Sequence, residues 1–262
     1  VTLRVALLQM DMAWEDVAEN HRRAAKLLAR AADAGAKLAL LPEMFSTGFS
    51  MEPERVAEEP GGISERYLVA QARAFGLSIL ASVPQKDPAA PLPQNVALLA
   101  SPAGGVTRYA KIHPFTFGGE NKHYAGGDRV VTAEVEGVRV TPFVCYDLRF
   151  PEPFRLAARD TDLFAVVANW PSTRRAHWRL LLRARAIENQ AYVIGVNRAG
   201  SGGGLNYGGD SAAIGPMGET LVEARESDGE TVLTCDIDPK AVEGAREKFP
   251  VLDDIRPEAY RR

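Results

Sequence analysis

The run Leu38-Ala39-Leu40-Leu41 carries no polar side chain. A strand with no polar face needs a covering layer on both sides of its sheet. That requirement, met early in the chain, excludes a simple one-sided sheet. The segments around it supply the cover. Asp16 and Glu19 resemble a capping box, and Val17, His21, Ala24, Leu28 and Ala31 then recur at helical spacing until Gly35. A second helix is expected from Ser64, with Leu68, Ala72 and Phe75 on one face and Gly76 as its stop.

Strands are expected at 3–8, 38–41, 77–83, 95–100 and 106–110, the last three separated only by turns rich in Pro, Ala and Gly. Further strands are expected at 138–144, 163–168, 192–196, 211–214, 219–222 and 231–237. Pro151 is placed to open one helix. Ala176, Leu180, Ala184, Ile187 and Ala191 mark the inward face of another, and Asp238-Pro239 opens a last one. Helices set between single strands and runs of strands point to an α/β fold with mixed sheets covered by helices. No shift in composition marks a boundary, so residues 1–262 are read as one domain.

Composition narrows the function classes. Hydrophobic residues make up 46% and charged residues 25%, which excludes a disordered or collagen-like chain. The 31 basic residues against 34 acidic ones give a net charge of −3 and no overall basic character for nucleic acid. No apolar run reaches the roughly 18–20 residues that span a bilayer, and Val1-Thr2-Leu3-Arg4-Val5 does not read as a signal peptide. Two cysteines, Cys145 and Cys235, make no disulfide framework. The expectation is a reduced, cytoplasmic protein without membrane or nucleic-acid partners.

Three segments place a reactive residue directly after an apolar strand: Leu41-Pro42-Glu43, Tyr109-Ala110-Lys111-Ile112-His113 and Val144-Cys145-Tyr146-Asp147. Strand exits are where ligands bind in sheets covered by helices. A carboxylate, an ammonium and a thiol gathered there would form a nucleophilic site. Taken singly, each has a plainer reading: a solvated turn acid, a surface lysine and a small buried thiol. Cys235, inside Val232-Leu233-Thr234-Cys235-Asp236, fits the plain reading. His21, His113, His123 and His177 are too scattered for a metal set, and no metal or other cofactor is expected. Gly200-Ser201-Gly202-Gly203-Gly204 lacks the ending of a phosphate loop and reads as a mobile connection. Trp170 and Trp178 lack the basic setting of a base-stacking platform.

Together, in this order, the three segments resemble the carbon–nitrogen hydrolases of the nitrilase superfamily, and the resemblance runs from the first strand to Lys248-Phe249-Pro250. It implies an α-β-β-α sandwich that pairs into a homodimer. It also implies a triad of Glu43 as general base, Lys111 as oxyanion stabiliser and Cys145 as nucleophile, with the backbone N–H of Tyr146 as a second oxyanion donor. Glu120, in Gly118-Gly119-Glu120-Asn121, matches a second glutamate that many members place beside the triad. Glu43 and Lys111 are expected within hydrogen-bond reach of Cys145, and Glu120 in the same cavity.

Within the superfamily, Glu43-Met44-Phe45-Ser46-Thr47-Gly48-Phe49, Ala168-Asn169-Trp170-Pro171 and Arg185-Ala186-Ile187-Glu188-Asn189-Gln190 are similar to the bacterial ω-amidase-like branch. That branch implies a small-molecule substrate, the ω-amide of a 2-oxo acid such as 2-oxoglutaramate. Arg149 is the candidate for its carboxylate, with a structural ion pair as the alternative role. Asn169, Trp170 and Thr173 are further candidates for the pocket, and Arg174 and Arg175 are the substitutes should Arg149 serve only as support. Other amidases, nitrilases or N-carbamoyl amidohydrolases are the rival readings within the superfamily. A non-enzymatic thiol sensor or binding protein is the rival of another class.

Overall fold

The computed structural model describes residues 2–225 and 229–260. In chain order it shows β1 (Leu3–Gln9), α1 (Val17–Asp33), β2 (Leu38–Leu40), α2 (Pro53–Val56), α3 (Ile63–Phe75), β3 (Ser78–Gln85), β4 (Gln94–Ala100) and β5 (Val106–Ala110). There follow β6 (Ala133–Val135), β7 (Val138–Val144), α4 (Pro151–Ala157), β8 (Leu163–Ala168), α5 (Arg175–Asn189) and β9 (Tyr192–Asn197). The remainder is β10 (Ala199–Gly202), β11 (Leu205–Gly208), β12 (Ala212–Ile214), β13 (Thr220–Glu223), β14 (Thr231–Ile237) and α6 (Pro239–Lys248).

Two six-stranded sheets form, in the orders β14-β1-β2-β3-β4-β5 and β13-β12-β9-β8-β7-β6. Each has three parallel strands at its centre, β1-β2-β3 in one and β7-β8-β9 in the other, with antiparallel neighbours outside. The strand faces explain the stacking. Leu3, Val5 and Leu7 of β1 join Phe143, Val166 and Val196 of the second sheet in one core. Ala6 and Leu8 point the other way, into a second core with Leu27, Leu28 and Ala31 of α1 and Leu68 and Ala72 of α3. Phe154 of α4 and Trp178, Leu182 and Ala186 of α5 cover the second sheet. The result is the helix–sheet–sheet–helix order that doubly apolar strands demand.

Local signals act as the sequence anticipates at several ends. The Asp16 carboxylate accepts from the Glu19 backbone N–H at 3.0 Å and starts α1. Gly76 closes α3 in the left-handed conformation. Asp238 caps α6 by accepting from Lys240 N–H at 3.0 Å.

Two expectations are corrected. The predicted inward face of α5 is turned outward, with Leu180 68% and Ile187 50% exposed. The helix buries Trp178, Leu182, Arg185, Ala186 and Asn189 instead. Polar anchors decide the rotation: Trp178 Nε1 donates to Asp210 O at 2.7 Å, and Arg185 Nη2 donates to Leu148 O at 2.8 Å. The glycine-rich stretch is not a mere connection but the hairpin β10–β11, a separate two-stranded sheet. It turns at Gly203-Gly204, where a side chain on Gly203 would sit 2.6 Å from the Trp14 ring. Buried Arg198 pins it, with Nη2 donating to Met12 O and Ser201 O, both at 2.9 Å. The short edge strand β6 was not anticipated.

Candidate active site

The exits of β2, β5, β7 and β8 meet. Glu43 lies three residues past β2, Lys111 directly follows β5, Cys145 directly follows β7 and Asn169 directly follows β8. Glu120 reaches the same point from a short 3-10 turn, Glu120–Lys122, in the connection between β5 and β6. The structure thus brings five of the anticipated residues together across the two sheets.

Lys111 sits between the two carboxylates. Its Nζ donates to Glu43 Oε1 at 2.9 Å and to Glu120 Oε2 and Oε1 at 2.8 and 3.1 Å. All three side chains are 0–1% exposed. Charges buried so deeply persist only when hydrogen bonds replace the lost water, and the site supplies them. Asn95 Nδ2 donates to Glu43 Oε1 at 2.8 Å and to Glu120 Oε1 at 3.3 Å. The Asn169 backbone N–H donates to Glu43 Oε2 at 2.9 Å, and the Phe115 N–H to Glu120 Oε2 at 2.5 Å. Burial alone would push the Lys111 ammonium down, but Glu120 and Glu43 together hold it above its ordinary value. Burial raises Glu120, with Lys111 opposing and Glu43 reinforcing.

Cys145 takes φ of +45°, a left-handed conformation that costs a non-glycine residue energy. Asp147 holds the chain there. Its Oδ2 accepts from Val144 N–H at 3.1 Å and from the Tyr109 hydroxyl at 2.8 Å, while Oδ1 accepts from His113 N–H at 3.0 Å and Nδ1 at 2.9 Å. The strand that leads to Lys111 is thereby tied to the turn that presents the thiol. Burial pushes the Cys145 thiol well above its ordinary value, the Glu43 carboxylate pushes it further, and Lys111 opposes both. Both burial and Glu43 thus favour the protonated thiol, whose Sγ donates to Asn169 O at 3.8 Å.

Cys145 opens into a pocket lined also by Phe49, Phe115, Tyr146, Arg149, Asn169, Trp170, Pro171, Arg174, Leu205 and Tyr207. The last two wall residues come from the β10–β11 hairpin. Asn169 serves Glu43 twice, since its Nδ2 also donates to Glu43 O at 2.6 Å. Trp170 forms a wall, its Nε1 donating to Arg174 O at 2.8 Å. Arg149 lies over the Trp170 ring at 4.6 Å. Among the described residues no carboxylate pairs with it, so the structural ion pair is not what the structure shows.

Thr173 is a correction: it is exposed and outside the lining of the pocket. It lies in the 3-10 turn Ser172–Arg174. At three residues per turn, Pro171 and Arg174 share one side and the residue between them faces elsewhere. Arg175 also points away, onto Asp210 at 2.7 and 3.0 Å. Sequence reasoning missed Asn95, Asp147, Tyr109 and Phe115. Asn95 alone carried a signal, a buried amide directly before the apolar run 96–100 of β4. Among the described residues no three His, Cys, Asp or Glu side chains cluster as a metal site, and no helix is long and apolar enough to cross a membrane.

Residues 4–247 match the family model for carbon–nitrogen hydrolase. The chain is 39% identical over 253 residues to Omega-amidase YafV of Escherichia coli strain K12, covering 96% of both chains. It is 30% identical over 259 residues to 2-oxoglutaramate amidase of Bacillus subtilis, covering 98% of both. Its fold superposes on XC1258 of Xanthomonas campestris, a CN-hydrolase superfamily protein with an arsenic adduct in its active site. That match has a TM-score of 0.92, 39% identity and 98% coverage of both chains.

Proposed function

The chain belongs to the carbon–nitrogen hydrolase family, and from that premise we propose that it is an ω-amidase releasing ammonia from 2-oxoglutaramate or a close 2-oxo acid ω-amide. One observation carries the chemistry: a lysine ammonium clamped by two buried carboxylates, beside a cysteine that opens into a pocket. Glu43 takes the thiol proton as Sγ attacks the amide carbon. The carbonyl electron pair moves to oxygen, where Lys111 and the Tyr146 N–H stabilise the charge. Collapse expels the nitrogen, which Glu43 protonates to ammonia, and a thioester remains. Glu43 then deprotonates water for attack on the thioester, and the thiolate leaves and recovers its proton. Glu120 acts through Lys111, fixing its direction.

The substrate class rests on two relatives of that kind along nearly the whole chain and on Arg149 in the pocket wall. A guanidinium there suits a carboxylate by its planar fork. We further propose a single domain in a reduced, cytoplasmic setting, consistent with two free cysteines. We propose a homodimer formed through the outward face of α5, where Leu180, Ile187 and the nearby Met217 stand exposed. Sedimentation showing only monomer at micromolar concentration would refute the dimer.

The test of activity is ammonia release from 2-oxoglutaramate, simple amides, nitriles and N-carbamoyl amino acids, compared as kcat/KM. The expected order puts 2-oxoglutaramate first. Preference for a nitrile or a carbamoyl substrate would overturn the assignment.

A further inference from the structure

The pocket wall holds a second guanidinium. Arg174 lies 5.4 Å from the Phe115 ring, on the same cavity as Arg149. Among the described residues neither side chain has a carboxylate partner, whereas the adjacent Arg175 and Arg179 both pair with Asp210. Arg149 has only aromatic and imidazole company: the Trp170 face, and His177 Nδ1 at 3.3 and 3.4 Å from its two terminal nitrogens. Buried behind the pocket lining, Glu43 and Glu120 share one ammonium near Cys145. The pocket is therefore polarised, negative where the bond breaks and doubly positive in its wall.

We propose that Arg149 and Arg174 together clamp the substrate's carboxylate, that Arg174 is a specificity-determining residue, and that His177 is the positioning residue that holds Arg149 toward the cavity. The inference rests on the hydrolase reading of this pocket and deepens it. Two unpaired cations repel each other until an anion lies between them, so a carboxylate gains from both at once. The polarity also fixes orientation. A carboxylate directed at Cys145 would approach the buried charges of Glu43 and Glu120, which favours entry of the neutral amide end there. That selects the ω-amide of a diacid over an amide whose acid function lies at the reacting end. Hydrolysis then creates a second carboxylate beside the two glutamates, which favours release of the product.

The test compares Arg149→Met, Arg174→Met, Arg174→Lys and His177→Leu on 2-oxoglutaramate and on a neutral amide of similar length. Expected for Arg174→Met is a rise in KM for the anionic amide. The anionic-to-neutral ratio of kcat/KM should fall by about tenfold or more. Arg174→Lys recovers part of the ratio, because a point charge lacks the fork. His177→Leu lowers the ratio less than Arg149→Met does. A second measurement needs no turnover: 2-oxopentanoate, which carries the carboxylate but no second acid group, should protect Cys145 from iodoacetamide in the wild type and protect it weakly in Arg174→Met. Equal losses on both amides, or undiminished protection, would make Arg174 a support for Phe115 and overturn the clamp. If the wild type ignores 2-oxoglutaramate but cleaves another carboxylate-bearing amide with the same arginine dependence, the clamp stands and the 2-oxo acid assignment falls.

Discussion

Replacing Glu43 by Gln separates two effects that a simple base would combine. In the structure the Glu43 carboxylate helps keep the proton on Cys145, second only to burial, while Lys111 works against both. A unit charge at hydrogen-bond range is worth up to about 4 kcal/mol at an effective dielectric near 20. Glu43 is also engaged by Lys111, Asn95 and the Asn169 N–H, so only part of that value reaches the thiol. Glu43→Gln removes this share and leaves Lys111 in place, so the thiol's pKa falls although burial still holds it high. Below that pKa the thiolate fraction rises, and because the weaker nucleophilicity of a more acidic thiol offsets only about half of that gain on a logarithmic scale, labelling of Glu43→Gln is faster than that of the wild type. Turnover moves the other way, falling by about 10²- to 10⁴-fold with the loss of a general base. The assay follows iodoacetamide labelling of the Cys145 peptide by mass spectrometry between pH 6 and 9, beside ammonia release. If Glu43→Gln labels more slowly than the wild type across that range, Glu43 activates the resting thiol instead of protonating it, and the argument from charge fails.

Other outcomes follow from the same geometry. Cys145→Ala should abolish ammonia release with the unfolding temperature preserved. Cys235→Ala should change kcat/KM by less than about twofold, since Cys235 lies on β14 outside the pocket and burial pushes its thiol up to about 12. His21, stacked on Tyr67 with ring centres 4.0 Å apart, is lowered by burial to about 4. The unfolded chain therefore binds the extra proton first, so stability falls as pH drops from about 6.5 toward 4. His21→Phe should remove about 1–2 kcal/mol of that fall after allowance for partial exposure, read as a flatter plot of unfolding temperature against pH; an unchanged slope contradicts the reading. Arg198→Met should release the β10–β11 hairpin, giving faster proteolytic cleavage within residues 199–208 and a higher KM. An equally resistant hairpin would show that the Trp14 contact alone holds it.

What the sequence made legible, and what it did not, follows from the range of each interaction. Glu43, Lys111 and Cys145 stand out because each stands at or just past the exit of a strand, and strand exits are local features. Asn95 and Asp147 act on partners up to 52 and 38 residues away, a distance no short pattern records. The face of α5 was misread because Leu180, Leu181 and Leu182 offer two apolar stripes. Remote acceptors on Asp210 and Leu148 choose between them. The pocket wall turns on a finer point. Tyr146 and Arg149 lie three residues apart in one 3-10 turn, and Pro171 and Arg174 are spaced in the same way at another. Side chains at that spacing eclipse in a 3-10 helix, and all four line the pocket while Leu148 and Thr173 do not. Helical spacing of 3.6 would have drawn the boundary differently. The residue type at 173 was suitable for binding a substrate, but the turn's period gives the place to its neighbour.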